Sequence, residues 1–213
     1  MTFHSSHGIL MHNILFPLTV LGPGRRIGIW FQGCTIHCKE CLSPESWEFR
    51  QDLFISFSDL KVRLEKFQEF DPDGVTISGG EPFDQPDGLL ILLNILNKLN
   101  FNSIMVYSGY KFSYLQKKYS PHLNLLDLLI SEPFILTEKD TKLWRGSDNQ
   151  KIHVLSPRAK KIYNEFELNN TRYPEERPLQ IKEDNHSIFI IGIPKRCDLE
   201  RIREFSAKYQ KSK

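Results

Sequence analysis

The sequence has no long hydrophobic run. Its best candidate, Ile14 to Leu21, is eight residues broken by Pro17, far short of the roughly 18–20 that a membrane helix needs. That stretch also lacks the basic cluster and small-residue cleavage site of a secretory signal, so a cytoplasmic location is expected. Charge of one sign is equally absent: 28 Lys and Arg stand against 26 Asp and Glu, a net charge of +2. A dedicated nucleic-acid protein normally shows a strongly basic face or a pI above about 9, so no nucleic-acid role is expected, and no membrane role either. No repeat shows at the roughly 20–50-residue periods of solenoids, and no stretch is low in complexity. Cysteine is scarce, four in 213 residues. Three of the four, Cys34, Cys38 and Cys41, fall within eight residues; a disulfide scaffold spreads its cysteines, whereas a metal site gathers them.

The rest of the composition is that of one globular domain: 40% hydrophobic, 25% charged and 12% aromatic. Short apolar, β-branched runs alternate with longer helical patterns. Strands are expected at Ile27–Gln32, Gly74–Ser78, Ser103–Ser108, Leu126–Ser131, Lys151–Leu155 and Ser187–Gly192. Helices are expected at Ser58–Phe70, Pro86–Leu99, Phe112–Lys118 and Asp198–Tyr209, with Ser58 as a cap. The helix from Pro86 carries a broad leucine face suited to a sheet, and Pro86 and Asp87 are sensible start signals. This alternation argues for a mostly parallel α/β sheet whose function-bearing loops follow the carboxyl ends of its strands. Residues 157–186 differ, with six basic and six acidic residues and few aliphatics. A core over 1–156 is therefore expected, followed over 157–213 by a polar linker and a C-terminal strand–helix extension.

The strongest local signal is Gln32-Gly33-Cys34-Thr35-Ile36-His37-Cys38-Lys39-Glu40-Cys41, directly after a strand. Three thiolates spaced C-x3-C-x2-C wrap one face of a metal centre without completing a four-ligand shell. Cys thiolates hold iron–sulfur cubanes, and three of them leave one iron open. A structural zinc site normally closes with four ligands, and His37, His12 or Cys197 are available to close it. His37 lies between two ligands and has an equally simple place facing solvent; Cys197 also reads as an ordinary thiol. Downstream, Ser78-Gly79-Gly80-Glu81-Pro82 ends the next strand. Two glycines there let backbone approach a ligand closely, with a carboxylate beside them; by itself the same pattern also describes a tight turn with a solvated Glu.

Taken together, the cysteine triad and the Ser-Gly-Gly-Glu-Pro turn resemble the radical S-adenosylmethionine (SAM) superfamily. Within it the chain is most similar to the activating proteins of anaerobic ribonucleotide reductase. Further stretches carry that likeness: Gly22-Pro23-Gly24-Arg25, Ser108-Gly109-Tyr110-Lys111 and Trp144-Arg145-Gly146-Ser147-Asp148-Asn149-Gln150. The likeness covers roughly residues 10–155 and departs from the pattern at Glu40, before the third cysteine.

The resemblance implies a partial (β/α)6-type barrel with a C-terminal extension. It implies a [4Fe-4S] cluster on Cys34, Cys38 and Cys41 whose open iron chelates the methionine end of SAM. Gly79, Gly80 and Glu81 would hold the SAM amino group, backbone around Glu40, Cys41 and Leu42 would face the adenine, and Ser78, Ser108 and Tyr110 would complete the SAM side. Arg145 and Asn149 would contact the partner or SAM. Reductive cleavage of SAM would yield a 5′-deoxyadenosyl radical that takes hydrogen from a backbone glycine. The implied partners are a glycyl-radical enzyme, above all the large subunit of an anaerobic ribonucleotide reductase, and a flavodoxin- or ferredoxin-type electron donor. Two alternatives stand beside this: the same chemistry on a small molecule or peptide, and a zinc-stabilised binding module without catalysis.

Overall fold

The computed structural model describes residues 7–183, 188–196, 198–199, 201–202 and 204. Cys197, most of the C-terminal helix expected at Asp198–Tyr209 and the basic tail with lysines 208, 211 and 213 lie outside the described residues. The chain begins with β1 (Gly8–Leu18), β2 (Arg26–Phe31), β3 (Phe54–Ser56) and α1 (Phe57–Gln68). It continues through β4 (Gly74–Gly79), α2 (Pro86–Lys98), β5 (Ile104–Tyr107), α3 (Phe112–Lys118), α4 (Ser120–Leu123) and β6 (Leu128–Ser131). The last elements are β7 (Lys151–Val154), α5 (Pro157–Lys160), α6 (Glu165–Asn170), β8 (Gln180–Glu183) and β9 (Ile188–Ile191).

Seven strands form one sheet in the order β3-β1-β2-β4-β5-β6-β7, and β8 pairs with β9 apart from it. The four central strands β2, β4, β5 and β6 are mutually parallel. β1 and β7 are antiparallel to their neighbours on either flank. Of the expected partial (β/α)6-type barrel the mostly parallel α/β sheet is present; it is open at β3 and β7, and no closed barrel forms among the described residues. The reason lies in the connections. A parallel neighbour needs a crossover, usually helical; between β6 and β7 no helix intervenes among residues 132–150, so β7 turns back antiparallel.

Strand alternation divides the core between the two faces of the sheet. Ile27, Ile29 and Phe31 of β2, Val75 and Ile77 of β4, and Ile104 and Val106 of β5 point to one face. There they meet Leu60 and Leu64 of α1 and Leu89, Leu92, Leu93 and Leu96 of α2. The intervening residues point the other way. Met105, Leu128, Ile130, Ile152 and Val154 are covered by Ala159 of α5 and Leu168 of α6, while Leu15 and Leu18 of β1 meet Ile191 and Ile193. The polar stretch after residue 157 therefore covers the second face of the sheet.

Two local readings change. The cap of α1 is Ser56, whose side chain accepts from the Asp59 N–H at 3.1 Å; Ser58 sits within the first turn, 2.8 Å from the Ser56 hydroxyl. β1 was not expected from the sequence, because Pro17 lies inside it. The ladder to β2 is irregular between Leu15 and Leu18, so Pro17 falls where a missing N–H costs no ladder bond.

Candidate functional site

The carboxyl ends of β2, β4, β5 and β6 lie side by side, and the loops leaving them converge. The first is the cysteine loop. Gly33 has φ +110°, and a Cβ there would meet the ring of Phe49, so only glycine turns the chain out of β2. The bonds that tie the loop down come mostly from backbone and from Gln32, with one from the Ser43 N–H to Cys41 Sγ at 3.5 Å. The buried Gln32 amide donates to the Glu45 and Glu48 carbonyls at 3.0 and 2.7 Å. The Gly33 N–H donates to the Ser46 carbonyl at 2.7 Å and the Cys34 N–H to the Trp47 carbonyl at 2.9 Å. His37 is exposed, its ring stacked 4.7 Å from that of Trp47. Cys34, Cys38 and Cys41 together line a cavity of about 140 Å³, shared with Ser78, Gly79, Gly80, Glu81 and Ser108.

Burial pushes the Cys34 and Cys38 thiols up, so thiolates there call for a cation to offset the buried charge. Among the described residues no three His, Cys, Asp or Glu side chains converge closely enough to hold a single metal ion. The cavity wall carries three thiols together with the Ser78–Glu81 turn, Ser108 and Gln150, and three thiols fit a cluster bound on three corners.

The second loop is laid directly on the first. Gly79 has φ +105°, and a Cβ on it would collide with the Phe31 backbone; one on Gly80 would collide with the Gly33 carbonyl. In place of those side chains are two hydrogen bonds, Gly80 N–H to Phe31 O and Glu81 N–H to Gly33 O, both 2.9 Å. Glu81 is buried. Its Oε1 accepts from the Phe83 N–H at 3.0 Å and the Ser108 hydroxyl at 2.9 Å, and its Oε2 from the Gly109 N–H at 2.7 Å. Burial pushes this carboxyl up to about 8, against those three donors. Glu81 thus ties the loop after β4 to the loop after β5.

Asp84, not singled out in the sequence, does the same for the cysteine loop. It accepts from the Thr35 N–H and the Tyr110 hydroxyl, both at 2.6 Å. Its signal was available: an acidic residue in a short turn opened by Pro82.

The other expected site residues are placed unevenly. Ser78 and Gly79 line both the cysteine cavity and a neighbouring cavity of about 230 Å³, and Leu42 lines the second. Glu40 and Tyr110 line neither. Arg145 is fully buried and turns away; its guanidinium donates to the Leu143 carbonyl at 3.1 Å, the Leu168 carbonyl at 2.8 Å and Asn169 Oδ1 at 3.0 Å. Asn149 donates to the Pro133 carbonyl at 2.8 Å, and its buried Oδ1 has no partner among the described residues. Tyr107, Phe134 and Gln150 line both cavities and were not assigned to the site beforehand. Their roles rest on loops that meet only in the fold.

The chain matches the family model of a 4Fe-4S single cluster domain over residues 20–153. It is similar to the anaerobic ribonucleoside-triphosphate reductase-activating protein of Haemophilus influenzae, 34% identical over 151 residues, covering 65% of this chain and 94% of that one. The protein of the same name from Escherichia coli K12 is 28% identical over 147 residues, covering 66% and 96%. The pyruvate formate-lyase-activating enzyme of Clostridium pasteurianum is 30% identical over 105 residues, covering 48% and 44%.

Proposed function

We propose, from the fact that the chain belongs to the 4Fe-4S single cluster domain family, that it is a radical SAM enzyme generating a glycyl radical on a partner enzyme. The partner in this reading is an anaerobic ribonucleotide reductase, as in the names of the relatives. The observation that carries it is the shared cavity: the three cysteines of one loop and the Ser78–Glu81 turn of the next line the same space.

Cys34, Cys38 and Cys41 would hold a [4Fe-4S] cluster, and among the described residues, which leave out Cys197, no fourth cysteine lines that cavity. The chemistry such a cluster supplies is reductive cleavage of SAM to a 5′-deoxyadenosyl radical. The protein's own part is to bind, orient and keep water out. Bare backbone at Gly79 and Gly80 offers carbonyl acceptors at the cavity wall to an ammonium group. Glu81 acts through position, holding the loops after β4 and β5 in register. Tyr107 and Phe134 give the cavity its apolar side. We read the open sheet as a partial barrel whose second face receives substrate, in a cytoplasmic setting, with a flavodoxin- or ferredoxin-type protein as electron donor.

The test is anaerobic reconstitution with iron and sulfide, then SAM and dithionite, with 5′-deoxyadenosine measured by chromatography. Wild type is expected to bind about four irons and form the nucleoside. Cys38→Ala is expected to lose both. Wild type that binds about one zinc and forms none would overturn the reading.

A further inference from the structure

The 230 Å³ cavity has a wall that the family match does not account for. One side comes from the matched region: Trp30, Cys41, Leu42, Tyr107 and Phe134. Outside that region the lining is His12, Asn13 and Leu15 of β1, and Phe189 and Ile190–Ile193 of β9 and its exit, the last well past residue 153 where the match ends. This strap lies across the second face of the sheet, with Ile191 and Ile193 seated on Leu15, Leu18 and Leu21.

The exit of the strap is tied twice to the loop that follows β6. Arg177, before β8, donates to the Asp140 carbonyl and, at 3.3 Å each, to the Asp140 carboxylate and the Pro194 carbonyl. Arg196, after β9, donates to the Leu136 and Ile135 carbonyls and lies over the ring of Phe134, a residue that itself lines the cavity. The half-open surface is mostly apolar, and among the described residues Glu45 is its one carboxylate. A volume of about 230 Å³ falls below the roughly 300–1,000 Å³ of pockets that hold whole drug-sized ligands. It suits one ring-bearing side chain.

We propose that Phe189 and the strap after it form the substrate-side wall of the site, a specificity-determining element that admits one uncharged aromatic or apolar side chain of a peptide beside the cysteine loop. The proposal rests on the preceding functional reading for the word substrate. The pocket and its selectivity are measurable without it.

The experiment uses the full chain, free of cluster and under anaerobic conditions; the cysteine loop is tied by backbone and Gln32 bonds that need no metal. Alkylation of Cys41 by a bulky fluorescein maleimide is followed by mass spectrometry. Phe189→Ala, which opens the wall, is expected to speed it about fivefold, and Phe189→Trp, which fills it, to slow it about threefold. Opposite shifts from two substitutions at one position are not what simple destabilisation produces; equal rates, or acceleration by both, would overturn the wall.

Three probes then define the occupant. N-acetyl-phenylalaninamide is expected to protect Cys41, and N-acetyl-lysinamide is not. Protection by adenosine alone would make the pocket a nucleoside seat and overturn the assignment, as would equal protection by the two amides or none by either. If wild type forms no 5′-deoxyadenosine after reconstitution, the functional reading fails; the alkylation results still decide the wall.

Discussion

Glu81 shows how one side chain can serve structure at the centre of a site. Its two oxygens meet donors from its own turn and from the loop after β5. Burial raises its carboxyl to about 8, so the folded chain keeps a proton that the unfolded chain releases near the ordinary value of 4.5. Between those values unfolding releases a proton, so stability falls as pH rises and levels off above about 8. Glu81→Gln carries no charge at any pH, and melting temperature against pH is expected to lose that downward slope. At low pH the variant is expected to sit about 1–3 kcal/mol below wild type, because its amide group faces the Gly109 N–H and leaves it unsatisfied. A slope unchanged by the substitution would assign the titration to another group.

Helix α1 and the strands around it show how a cap and a break are misread one position at a time. Ser56-Phe57-Ser58-Asp59 offers two serines for one helix start. The acidic residue three positions after Ser56 was the deciding signal, since a cap pairs with the third helical position. Ser56→Ala is expected to cost about 1 kcal/mol in urea denaturation and Ser58→Ala a few tenths at most; the reverse order would return the cap to Ser58. Helix α2 was legible because Pro86, Asp87 and the leucines at helical spacing agree with one another. β1 was hidden by Pro17, whose tolerance depends on an irregularity in a ladder that only pairing reveals.

Over the whole molecule, the polar texture after residue 157 reads as an appendage, yet the segment covers part of the sheet. Ala159 and Leu168 lie over the second face, and the carbonyls of Leu168 and Asn169 take up the buried guanidinium of Arg145. We place the end of the cooperative core after α6. A chain ending at residue 156 is expected to lose its cooperative urea transition, because each stranded buried donor costs about 1–3 kcal/mol and the apolar face is laid bare. A chain ending at residue 176 is expected to keep one. Two equally cooperative transitions would restore the boundary at 156.

Sequence alone determined that three thiols share one loop, because they lie within eight residues and their spacing is a local property. It determined most of the strands and long helices for the same reason, since period and start signals act over a few residues. Only the tertiary structure decided which polar groups face the cavity and which are consumed inside. Glu81 is engaged by residues 27 and 28 positions away, and Arg145 by residues 23 to 26 positions away. It also decided that the sheet stays open and that a late strand walls its second face, because a strand's neighbours are chosen by burial between distant segments.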